Sequence, residues 1–515
     1  MKNLFFCCLL VLLKVTINTA FAQNSYYVSK NGNNANGNSW INAWNDLDQI
    51  EWNTIQPGDV INIDGGIDSM IYESRITVGK GGSNNENRIT IQRSDENGHN
   101  GKIYFNGIYC DYPFITVDGK DRSNFIILGN DWGYIVRTTE NADWFEFKNT
   151  LLKCTFVTDP GAWGIPMLNH SPHVLVTHCG FEGTNIEDQI RYDGEGSCVI
   201  EDSYFIGIET HGDIHEDICQ TYTDSMDSLI VRRNIFVANY NDYFMLGNTV
   251  FNYVEFSYNV FTASPGYGGD AIKGNSTNSL VVCNNVFDKC RDIIGMDNNV
   301  QFIRNNIYTG IGPWNGDVHV STGTQYSLWD VGATFFENGN GNIQLLSGEP
   351  LFLNKENIFG LDNTPFTNDD GFRLMDGSPA INNGVNAGYT YDIMKNHLIG
   401  NPDIGAYEYT EAASVDDETG VNDFVLYQNY PNPFNPNTKI SWQSPVTGHQ
   451  LLKVFDVLGN EVATLINEFK SAGNYEVEFN ASFLSSGVYF YRITIYSDKF
   501  QIGSIVESKK MLLIK

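Results

Sequence analysis

Short runs of alternating apolar and polar residues, parted by Gly, Asn and Asp, recur from about residue 103 to residue 310. Aromatics close successive runs at Phe156, Phe181, Phe205, Phe236, Phe261, Phe287 and Tyr308, at spacings of 25, 24, 31, 25, 26 and 21 residues. Two places before them stand Cys154, Cys179, Ser203, Asn234, Asn259, Asn285 and Asn306, and five places before stand Leu151, Val176, Ile200, Val231, Phe256, Val282 and Ile303. A period in the twenties, with short strands and polar residues in fixed columns, predicts a parallel solenoid. Stacked asparagines suit it, because each amide can donate to the equivalent carbonyl one rung away. The pattern therefore predicts an all-β chain, a right-handed parallel β-helix. Leucine-rich and propeller repeats fit less well, for the columns hold neither regular leucines nor Trp-Asp pairs.

A second column opens one strand of each coil. Asp188, Asp217, Asp242, Asp270 and Asp292 each precede a hydrophobic residue by two places and an aromatic by 16 to 19. Neighbouring strands lie about 4.8 Å apart, so in register these acids form a stack of like charges. Such a stack must raise its own pKa values, borrow cations or bind a metal. Several carboxylate oxygens suit calcium. Strict alternation would turn each aspartate toward the core, and a buried row of carboxylates is costly, so the acids are placed in the turn just before the strand. Aspartate also favours turns for its own backbone's sake, and the two readings stay open. The outward positions are read as those three places after each aspartate (Arg191, Gln220, Met245, Lys273, Gly295) and one place after (Gln189, Ile218, Tyr243, Ala271, Ile293). Lys273 either neutralises Asp242 and Asp270 or serves as a base.

The chain's ends read differently. Residues 1–22, with Lys2, an apolar run from Leu4 to Leu13 and Ala20-Phe21-Ala22, form a secretory signal peptide. That run is too short to span a bilayer, and no later segment is long enough. Residues 23–410 are assigned to the β-helix with an N-terminal cap, in which Trp40 and Trp44 serve packing. The extra residues of the longest coil fall around His211, Asp213 and His215, a loop on one face. Asp403 and Glu408, in the closing turns, read as structural. Residues 411–422 are an acidic, turn-rich linker, and residues 423–515 alternate as a small β-sandwich. Seven cysteines remain after the signal. Cys154 and Cys179, read as one column, could bridge, but stacked core thiols are the simpler expectation. Asp+Glu 61 against Lys+Arg 31 leaves a formal charge of -30, which argues against nucleic acid and anionic membrane as partners.

Three stretches carry resemblances. Tyr26-Tyr-Val-Ser-Lys-Asn-Gly32 and Gln56-Pro-Gly-Asp59 resemble the opening of many secreted right-handed β-helix proteins, polysaccharide lyases among them. Val425 to Thr438, with Tyr430-Pro-Asn-Pro-Phe-Asn-Pro436, then Val454-Phe-Asp-Val-Leu-Gly459, Leu484-Ser-Ser-Gly-Val-Tyr-Phe-Tyr491 and Lys509 to Lys515, closely resemble the C-terminal sorting domain of the type IX secretion system. That implies the type IX machinery as partner and export to the surface or beyond. Asp270-Ala-Ile-Lys273-Gly-Asn, Val281 to Phe287 and Asp292 to Asn299 are similar to the lysine coil and following coil of polysaccharide lyase family nine, the calcium-dependent pectate lyases. This resemblance implies Lys273 as the base that removes the C5 proton of a uronate, with Asp188, Asp217, Asp242 and Asp270 as candidate calcium ligands. The family bunches its aspartates in the coil beside the lysine, whereas this chain offers only Asn241-Asp242-Tyr243 there.

The resulting expectation is a secreted, monomeric polysaccharide lyase acting on an acidic, pectate-like polymer, with Arg191, Gln220 and Tyr243 contacting substrate. A β-helix glycoside hydrolase using paired aspartates and a noncatalytic carbohydrate-binding β-helix are the rivals. An absent metal together with an outward Lys273 paired to Asp242 would favour the binder.

Overall fold

Asparagine holds the coils in register. In the computed structural model the side-chain amide of Asn234 donates to Asn259 Oδ1 at 3.0 Å, that of Asn259 to Asn285 Oδ1 at 3.0 Å and that of Asn285 to Asn306 Oδ1 at 3.1 Å. The same oxygens accept the backbone N–H of the preceding rung at 2.9–3.0 Å. Ser203 and Ser327 continue the ladder at its two ends. One residue before each rung, His178, Asp202, Arg233, Tyr258, Asn284 and Asn305 take φ of 54–58°. That left-handed residue makes a sharp corner, and the asparagine beyond it satisfies the backbone groups that the corner exposes.

The structure describes residues 23–129, 134–155, 165–184, 188–208, 217–238, 242–263, 268–290, 293–298, 301–310, 324–330, 340–347, 349–398, 400–410, 425–444, 448–456, 460–470, 473–496 and 504–514. The signal segment, Phe156, the linker 411–422, the loop around His211, Asp213 and His215, and Asp292 lie outside them. Among the described residues there is no α-helix, and parallel strands form a 20-stranded and a 12-stranded sheet. The expected all-β parallel solenoid is thus observed. Within the larger sheet two ladders run side by side. One joins Ile190, Cys219, Phe244 and Ile272; the other joins Val176, Ile200, Val231, Phe256 and Val282.

The smaller sheet closes each coil. Its inward aromatics Phe181, Phe205, Phe236, Phe261, Phe287 and Tyr308 stack at centroid separations of 4.6–5.5 Å, a range that favours ring pairs. The sequence columns hold from Phe181 onward, but not in the coil before it. Leu152, not Phe156, lies opposite Phe181, and Cys154 lies opposite Gly183. Cys154 and Cys179 therefore occupy different columns, and all seven cysteines are free and buried.

The smaller sheet is apolar outside as well. Ile126, Leu151, Tyr204, Ile235, Val260, Val286, Ile307 and Leu328 line its outer face. Exposed, that stripe would be a sticky surface; instead residues 349–409 fold back over it, contributing Phe372, Leu374, Ile393, Ile404 and Tyr407 to a second core. Asp403 and Glu408 serve this return segment. Asp403 accepts from the backbone of Asn382 and Tyr409, and Glu408 from that of Asp403. At the other end Trp44 is buried against Tyr26 in the cap, while Trp40 stacks on His99 and donates to Glu96.

The chain splits into two compact units, residues 1–409 and 410–515. In the second, a three-stranded and a four-stranded antiparallel sheet share a core of Ile440, Trp442, Leu452, Val454, Tyr491 and Ile493.

Candidate functional site

The Asp242 and Asp270 segments bend at their second residues, Tyr243 and Ala271, whereas Asp188 and Asp217 open unbroken strands; in all four the second and third residues are both buried. Asp242 faces outward under its neighbours, Tyr243 and Phe244 both turn into the core, and Met245 faces outward again. Two consecutive buried residues break the strict alternation, so an aspartate and the residue three places later lie on one side. Arg191 accordingly donates twice to Asp188 Oδ2, from Nε at 2.9 Å and Nη2 at 2.5 Å. Lys273 lies 3.6 Å from Asp270.

Strand pairing stacks these residues across coils. Asp188 lies opposite Asp217, and the pairs Cys219 with Phe244 and Phe244 with Ile272 carry the column on through Asp242 and Asp270. Three places later, Arg191, Gln220, Met245, Lys273 and Gly295 form one ladder. Asp242 ties two coils together, accepting Lys273 Nζ at 3.2 Å and the backbone N–H of Asp270 at 2.9 Å. The Lys273 side chain remains 45% exposed, against 5% for Asp242, so the amine reaches solvent while its partner does not.

Burial governs the acids' charge. Asp217 is wholly buried. Burial first, and the neighbouring charges of Asp188 and Asp242 second, push its carboxyl up to about 9, so it is neutral near pH 7.

Two expectations need correction. Tyr243 is fully buried, packed edge-to-face on Phe261, and cannot touch a polymer; Gln189, Ile218, Ala271 and Ile293, one place after their aspartates, are likewise buried. At Tyr243, Ala271 and Ile293 the backbone bends, which turns the second residue inward where alternation expects it outside. The implied calcium site does not fit the described carboxylates either. Asp188 is engaged by a guanidinium and Asp242 by an ammonium, and among the described residues no three His, Cys, Asp or Glu side chains converge to hold a metal. The sequence reading also missed Tyr222, an exposed ring beneath the Arg191 guanidinium at 4.6 Å. Its only signal was a large aromatic just past the strand's last inward residue, Thr221.

With this geometry in view, comparison with known proteins separates the two units. Residues 428–507 match the family described as the secretion system C-terminal sorting domain. The tail is a type IX sorting domain. It marks the protein for export across the outer membrane, and no described helix is long and apolar enough to cross one. No curated protein sequence matches the chain. Among solved structures, XylC in complex with xylose is similar at 10% identity and a TM-score of 0.42, covering 75% of this chain and 98% of that one. The GH136 lacto-N-biosidase from Eubacterium ramulus is similar at 14% identity and a TM-score of 0.29, covering 54% of this chain and 68% of that one.

Proposed function

We propose that this exported β-helix engages a uronate-containing polysaccharide along the outward ladder from Arg191 to Lys273. The observation that carries the reading is the disposition of Lys273, an amine half open to solvent whose partner acid is buried. Arg191 and Lys273 place two cations on one ladder, above the carboxylates of Asp188 and Asp242, and cations in a row suit the carboxylate oxygens of a sugar chain. Tyr222 adds a ring beside Arg191 for an apolar sugar face. Rungs about 4.8 Å apart offer a row of contacts to an extended polymer.

A second reading, β-elimination, is favoured by the same exposed amine. Neutral Lys273 would take the C5 proton of a uronate, the C–H electrons would form the C4–C5 double bond, and the C4–oxygen bond would break with the leaving chain. Against it stand Asp242 and Asp270, which stabilise the ammonium that this step must first deprotonate. Binding is therefore the leading reading. Hydrolysis by paired aspartates has less support, because Asp217, Asp242 and Asp270 are all buried.

The deciding experiment incubates the mature protein with polygalacturonate and follows ultraviolet absorbance and retention in an affinity gel. Retention without absorbance, kept in Lys273→Arg and weakened in Lys273→Ala, supports binding. Unsaturated ends that vanish in Lys273→Arg establish elimination, and neither signal from the native protein refutes both.

A further inference from the structure

A cavity of about 490 Å³ lies between the left-handed corners of the coils and the return segment, lined by Lys120, Arg122, His178, Asp202, Phe366 and Lys395 among others. Its volume falls within the range of small-molecule sites, roughly 300–1,000 Å³. On a chain of formal charge -30, three cations lining one hollow run against the overall balance.

The carboxylates nearby are already committed. Asp202 is gripped by Arg233 at 2.7 and 3.2 Å. Asp121 caps its own turn, accepting from Ser123 N and Asn124 Nδ2 at 2.9 Å each. Lys395 spans the cavity mouth from the return segment, 2.9 Å from His178 Nε2 and 3.3 Å from Asp202. Arg122 is different. Its guanidinium sits between the rings of Tyr204 and Phe366, at 4.9 and 5.2 Å, and donates to the Pro365 carbonyl at 3.5 Å. No described carboxylate forms an ion pair with it. A partly buried guanidinium held by aromatic faces, with its fork unmatched, lacks the planar anion that complements it. Phe366, Ile393 and Met394 supply an apolar wall beside it.

We propose that this cavity binds a small sugar acid, with its carboxylate on Arg122, supported by Lys395, and its apolar face against Phe366. The site lies at a different corner of the coil from the Arg191 to Lys273 ladder and does not depend on the function assigned to that ladder. It joins coils to return segment, so the ligand would bridge two parts of the fold that are distant in sequence.

Isothermal titration of the full mature chain with galacturonic acid, galactose and inorganic phosphate tests it. Expected is saturable binding of galacturonic acid, none of galactose, an affinity at least tenfold weaker in Arg122→Gln and several-fold weaker in Lys395→Gln, with polymer retention unchanged. Absence of saturable binding, unchanged affinity in Arg122→Gln, or binding of phosphate alone overturns the proposal. Arg122 also packs between two rings, so Lys395→Glu, a change at an exposed position, supplies an independent test: unchanged affinity there overturns it equally.

Discussion

Lys273 donates to Asp242 across the boundary between two coils, at 3.2 Å. The pair couples a group that sees solvent to one that does not, and its two members respond differently to substitution. Lys273→Met removes a charged donor from a buried carboxylate that also accepts the Asp270 N–H. Stability is expected to fall by about 1–3 kcal/mol, and by less in Lys273→Arg. Urea denaturation of the three proteins measures this; equal midpoints would show that the pair has no structural role.

Asp217 should govern part of the pH dependence. Its folded-state pKa is raised, to about 9, above the value of about 4 for an unfolded aspartate. The native state therefore holds a proton that the unfolded chain releases, so the associated stability is complete below pH 4 and is lost as pH climbs toward 9. Asp217→Asn, which never ionises, should match the native protein near pH 4 and exceed it at pH 8. Denaturation midpoints at pH 4, 6 and 8 test this, and parallel curves would place the dependence elsewhere.

Glu408 gives the return segment the same sign. Burial, then the charge of Asp403, push its carboxyl up to about 8, so the segment is held best in mild acid and loosens as pH rises from about 4 toward 8. At pH 8, limited proteolysis within residues 349–409 should be slower in Glu408→Gln than in the native chain. Equal rates would remove Glu408 from the account.

The asparagine ladder should be costly to interrupt. Asn259 donates to Asn285 and to the Val231 carbonyl, and accepts from Asn234. Asn259→Ala strands these buried partners at about 1–3 kcal/mol each, so the variant should lose several kcal/mol, far more than an exposed substitution such as Leu361→Ala. Comparable losses in chemical denaturation would contradict a supporting role for the ladder.

The ladder from Arg191 to Lys273 was legible because each aspartate segment repeats the same parity, and inward residues such as Ile190 and Ile272 fix it. Tyr243 was misplaced because a bend at the second residue is a backbone event with no residue signature, and alternation assumes a straight strand. Phe156 misled for another reason. An aromatic at an acceptable interval satisfied the period, while the residue that occupies the column, Leu152, is not aromatic. The cavity around Arg122 was invisible altogether, since it joins residues 120–122 to Lys395 across 270 positions of chain, and nothing local announces that the last sixty residues of the unit turn back.

That return path has a consequence for how such a protein can evolve. Val385 is tied to Asn305 near one end of the stack, and Pro365 to Arg122 several coils earlier. Duplicating or deleting one turn of the spiral would slide the two anchor points apart by about 4.8 Å, and the fastening would no longer reach both. An open stack can gain or lose units freely; between these two anchors this one is a measured length, buckled at two points.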